Sequence, residues 1–124
     1  EVFKQFLFVS ASDPVAAKRQ ARDIDFLLAM GEIFSLVAYG QLVIEYRNLN
    51  REQLDDDLLD EIFDVLVRDF SKYALQIYSK ATSTSAQEQA CMKMIRKPVL
   101  NEERYERIWR DHVFALKGEY TMND

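Results

Sequence analysis

The stretch DDDLLDEIFDVLVRDFSKYALQIYSK, residues 55–80, decides the fold class of this chain. Leu59, Ile62, Phe63, Leu66, Phe70, Tyr73, Ala74 and Ile77 recur at spacings of three and four. That spacing gathers them on one face of an α-helix and excludes the alternation of a strand. Asp55, Asp56 and Asp57 fall in the early turns, where the positive end of the helix dipole favours carboxylates. The pattern predicts a helix from about Glu52 to Lys80. Truncating Leu66 to Ala in a buried stripe would cost about 2–5 kcal/mol. A metal cluster is the rival reading of three adjacent aspartates, but consecutive helical residues point in different directions and do not converge on one ion.

Upstream, Ser12-Asp13-Pro14 reads as a helix start. Asp13 caps free N–H groups, and Pro14 takes the first helical position, where its missing N–H costs nothing. Helical pattern then runs to about Asn48 without another proline, a length of about 50 Å. A domain of this size has a radius of gyration of only about 14 Å, so the helix bends near Gly31 or Gly40 or docks on something else. Between Leu27 and Ile44 it is apolar nearly all round, interrupted by Glu32, Ser35 and Gln41 and preceded by Arg22, Asp23 and Asp25. Charged groups are costly inside a bilayer, so the expectation is a helix buried on two sides rather than a membrane span. Gly31 and Gly40 would mark the close approach of other helices. Residues 1–11 are a brief apolar lead-in, read as a short helix or an ordered segment.

Downstream, Asn48 to Arg51 is a turn, and Thr82 to Ser85 breaks the helical pattern again. Ser85 with Glu88 has capping-box spacing. The helix that follows runs to about Lys97 and is stopped by Pro98. Asn101 caps a last helix from Glu102 to about Lys117, with Glu103–Arg107 and Glu106–Arg110 as ion pairs spaced four apart. Gly118 ends it, leaving residues 119–124 as a tail. The fold expected is all-α, an antiparallel bundle of about four helices with a long first helix, in one domain spanning residues 1–124.

Composition agrees with that class. Of 124 residues 48% are hydrophobic, with three Gly and two Pro, too few breakers for a many-stranded sandwich or barrel. Lys and Arg total 16 against 21 Asp and Glu, a net charge of −5, which opposes binding to nucleic acid or an anionic membrane. A lone cysteine, Cys91, excludes a disulfide scaffold and fits a reducing, cytoplasmic setting. The chain opens without the basic leader of a secretory signal, and its first residue is Glu1 rather than Met, which suggests a processed chain or a piece of something longer.

Chemistry is sparse. The sequence holds no glycine-rich phosphate loop and no CxxC or GxSxG motif. A single His excludes the paired Glu-x-x-His motifs of a di-iron bundle. His112 is expected as a surface or half-buried helix residue and Cys91 in the core. Lys93, Arg96, Lys97, Arg104, Arg107 and Arg110 make a basic region. Arg96 and Lys97 would suit an anion, but as cations at a helix carboxyl end they need no ligand. Phe70, Tyr73, Tyr78 and Trp109 would suit a flat ligand, but aromatics at helical spacing are core by default. No catalytic, cofactor-binding or metal-ligating residue is assigned.

Three strings carry a resemblance: SDPVAAKRQARDIDFLLAMGEIFSLVAYGQL (12–42), DDDLLDEIFDVLVRDFSKYALQIYSKATST (55–84) and RKPVLNEERYERIWRDHV (96–113). From about Ser10 onward the chain resembles the C-terminal helical region of large, actinobacterial-type acyl-CoA dehydrogenases. That family uses FAD to remove two hydrogens from the α and β carbons of an acyl-CoA thioester. None of its catalytic or FAD-contacting motifs matches a position here, and Glu32 in AMGEIF is not in the catalytic glutamate's setting. The resemblance implies an accessory C-terminal domain that packs on a catalytic core of the same polypeptide. Its role would be structural or oligomerising, and the FAD would be held elsewhere. A free-standing helical module that binds a partner helix is the alternative. A small enzyme in its own right is disfavoured by the missing site.

Overall fold

The computed structural model describes residues 1–120. The chain forms α1 (Val2–Ala11), α2 (Pro14–Gln20), α3 (Ile24–Leu49), α4 (Asp56–Tyr78), α5 (Ser85–Met94) and α6 (Glu102–Ile108). The last continues into a π-helical turn (Trp109–Val113) and a 3-10 turn (Phe114–Leu116), and there is no strand among the described residues. The all-α class is as expected, with six helices in place of about four. Of the expected tail, residues 121–124 lie outside the described residues.

The long first helix is in fact two. Asp13 caps α2 as expected, accepting from the N–H groups of Val15 and Ala16. A second cap, Asp23, then breaks the run: its backbone is extended and its carboxylate accepts from the Phe26 N–H at 3.1 Å. Lys80 Nζ and Thr82 Oγ1 donate to the same carboxylate at 3.3 and 3.2 Å. These bonds hold it below its ordinary value, the Phe26 N–H contributing most. Tied to a helix start and to the α4–α5 connection at once, Asp23 cannot lie inside a continuous helix. The longest helix is therefore α3, about 39 Å.

Other boundaries shift for similar reasons. Asp55, not a residue near Glu52, caps α4 through the Leu58 N–H. Thr84 and Gln87 form the capping box of α5, where Ser85 and Glu88 were expected. α5 stops at Met94, because Ser71 Oγ accepts from the Arg96 N–H at 2.8 Å and donates to the Arg96 carbonyl at 2.6 Å. That serine takes up backbone groups that further helix would have used. Gly118, at φ +95, sits where only glycine is unstrained.

Helix α4 is the centre of the bundle, packing along α3, α5 and α6, while α1 packs on α5. Short connections make α3–α4 and α4–α5 antiparallel neighbours. One buried cluster closes the fold: Phe3 and Phe6 of α1, Phe26, Ala29 and Ile33 of α3, Ala74 and Ile77 of α4, and Ala90, Cys91 and Met94 of α5. The lead-in segment is thus a core helix. Cys91 is core as expected, and burial pushes its thiol up to about 11. Of the apolar stripe on α4, only Ala74 and Ile77 are fully buried, and Leu59 to Tyr73 are half-covered. Inside the cluster's edge Gln20 and Gln87 exchange amide hydrogen bonds of 2.7 and 3.1 Å. Gln87 also donates to Ser10 at 2.9 Å, joining α1, α2 and α5.

Candidate functional site

The residues singled out as chemistry-bearing disperse into structural pairs. Asp55, Asp56 and Asp57 each take a different partner: His112 at 2.7 Å, Arg47, and both Nε and Nη2 of Arg107 at 2.6 and 2.8 Å. They diverge, as helix geometry requires. His112 is half-buried against the first turn of α4. Asp55 is held below the usual carboxylate range by the Leu58 N–H first and by His112, and Asp57 by Arg107. No group of three His, Cys, Asp or Glu able to hold a metal occurs among the described residues.

The basic region behaves likewise. Arg104 pairs with Asp64, with Glu61 at 3.2 Å and with Asp60 at 3.9 Å. Arg110 binds its neighbour Asp111 at 2.7 Å. The expected pairs Glu103–Arg107 and Glu106–Arg110 do not form, because Arg107 reaches across to Asp57 instead. The bidentate bond to Asp57 outcompetes an exposed pair along one helix. Arg96 donates to the Ile95 carbonyl just past the end of α5 at 2.9 Å. The four aromatics do not assemble: Phe70 meets Phe3 edge-on at 6.3 Å and Tyr73 packs on the core, while Tyr78 and Trp109 stay partly exposed. A cleft of about 290 Å³ lies between α4 and the segment from Pro98 to Tyr105. Its lining mixes Val65, Val99 and Leu100 with charges of both signs, Glu61, Asp64 and Arg104 among them.

The feature that remains is the outer face of α3. Phe26, Ala29, Ile33 and Gly40 are buried, and Leu36, Val43 and Arg47 are half-buried, all along one stripe against the bundle. On the opposite side stand Leu27 (46% exposed), Leu42 (61%) and Leu49 (85%), while Phe34 lies at the edge of that side with its ring 6.4 Å from the buried Phe3 of α1. Leu28, Tyr39 and Tyr46 widen the patch. The helix expected to be buried on two sides is therefore buried on one among the described residues, because α1 packs on α5 instead of over it. Gly40 is a close approach, with Phe63 and Leu66 atoms 3.6 Å from where a Cβ would stand. Gly31 is not, having nothing within 4 Å. By length and composition α3 is also apolar enough to cross a membrane.

Sequence periodicity found α3 but not its bare face, since an apolar-all-round helix does not say which side its own chain covers. Asp23 was missed as a break, although Asp23 followed by Asp25 in a first turn is a helix-start signal. Neither family models, curated proteins nor solved structures give a match to this chain.

Proposed function

We propose that this chain is an assembly domain: a helical accessory part, without an active site of its own, of an FAD-dependent acyl-CoA dehydrogenase. The observation that carries the assembly role is the bare apolar face of α3, from Leu27 to Leu49, beside a closed core. Contiguous exposed apolar surface of this extent marks an interaction site. The enzyme class rests on the resemblance of residues 12–42, 55–84 and 96–113. In this reading the dehydrogenation takes place on a catalytic core of the same polypeptide, in the cytoplasm, and no residue of this chain performs a step of it.

Protein rather than lipid is the surface that α3 meets. Helix α4 packs along it and carries Asp60, Glu61, Asp64, Arg68 and Asp69. A span formed by α3 would draw these charges into hydrocarbon, at about 3 kcal/mol each on insertion scales. Determining the complete reading frame around these residues tests the enzyme class. An FAD-binding acyl-CoA dehydrogenase core upstream of Glu1 is expected; flanking sequence without one contradicts it. Purified alone with FAD and an acyl-CoA, the chain is expected to show no flavin-dependent turnover.

A further inference from the structure

The chain beyond Pro98 is attached differently from the rest. Helix α6 packs on α4 and on no other helix among the described residues, and none of its residues belongs to the buried cluster. Ile108 is the one buried side chain of α6 and the two turns after it. The remaining attachment is a ladder of charges running antiparallel to α4. Arg104 meets Asp64, Glu61 and Asp60, then Arg107 meets Asp57, then His112 meets Asp55. Upstream, Arg96 is pinned by Ser71 through both of its backbone groups. Past it the chain is extended, with Val99 and Leu100 exposed.

The π-helical turn sets the register of the ladder. On a regular α-helix, residues at i, i+3, i+4 and i+7 share a face, so Asp111 would follow Arg104, Arg107 and Ile108. Its carboxylate would then confront Asp55 and Asp57. The π-turn over Trp109–Val113 adds a residue to the turn, which brings His112 round in place of Asp111. His112 Nε2 lies 2.7 Å from Asp55 Oδ2, and the imidazole is the donor because an ionised carboxylate only accepts. Asp111 is turned aside onto Arg110. Closure still carries a cost. Arg104 Nε is buried without an acceptor, and water would satisfy it once the segment lifts.

We infer that residues 102–116 are a strap that opens from α4 as one unit about the extended segment 97–101, while α1 to α5 stay folded, and that the π-turn is the device that latches it. Opening removes the wall that Leu100 and Tyr105 give the cleft beside Val65. The strap thus governs whether that side of α4 is covered.

Hydrogen exchange of the full chain, read by mass spectrometry, tests this. Amides of residues 103–116 are expected to exchange at one common rate, at least about tenfold faster than those of residues 26–33 and 74–77. Arg104→Gln is expected to speed the strap by a further factor of about ten and leave those core peptides unchanged. The double variant Asp111→His, His112→Asp keeps the composition and returns a carboxylate to Asp55, so it is expected to do the same. Strap amides that exchange at the core's rate would overturn the independent opening. So would protection rising steadily inward from residue 116, which is fraying, or an Arg104→Gln effect shared equally by the core. A double variant that exchanges as the parent chain does would overturn the latching role of the π-turn.

Discussion

At one end of the α3–α4 hairpin, Phe26, Ala29 and Ile33 share a buried cluster with Ala74 and Ile77, roofed by α1 and α5. At the other, Gly40 meets Phe63 and Leu66 in a half-covered seam, and α6 attaches through ion pairs of Arg104 and Arg107 to α4. The closed end is held by apolar area removed from water. The open end buries only Leu54 and Ile108 beside that half-covered seam, and its charged contacts are partly solvated and contribute less. The bare side of α3 runs past both ends, from Leu27 to Leu49.

Substitutions can break this contrast. Phe6→Ala, at the closed end and fully buried, should have the largest effect, about 3–5 kcal/mol of unfolding free energy in urea titration. Gln87→Ala is next: it leaves the buried Gln20 amide short of a partner, at about 1–3 kcal/mol. Leu66→Ala at the open end should cost about 1–2 kcal/mol, below the range for a full core leucine, because the side chain is only half-covered. An open-end cost equal to that of Phe6→Ala would erase the distinction.

Acid should act on the capping and ion-paired aspartates. Asp23, Asp55 and Asp57 are held below their ordinary value in the folded chain. Their stabilisation is present above the unfolded carboxylate pKa of about 3.9 and is lost as pH falls through the depressed folded values. Chemical denaturation should therefore give a midpoint that is nearly flat from about pH 5 to 8 in this respect and falls below about pH 4. Gly31→Ala gives the smallest effect, a gain of about 0.5–1 kcal/mol in the monomer, since the helix there is exposed and nothing obstructs a methyl group.

Much of the fold was legible in the sequence because spacing, caps and breakers act locally. The α4 stripe, Asp13 with Pro14, Asn101 and Gly118 all mark structure within a turn or two of themselves. Asp23 was harder to read because the contacts that secure it come from Lys80 and Thr82, nearly sixty residues away. Arg107 was misassigned for the same reason: its local partner Glu103 loses to the distant Asp57. The candidate face was half legible. Residues 27–44 announced a helix apolar all round, but only the path of α1 decides which side stays open.

The central claim is that the outer face of α3 serves assembly and not folding. Its most direct measurement pairs thermal melting with sedimentation velocity on the chain and on a Leu42→Ser, Leu49→Ser double variant. Both positions are exposed, so the melting point of the dilute chain should change little, while concentration-dependent association through this face should disappear. A variant that melts far lower, or sediments as the parent chain does at every concentration, would contradict the account.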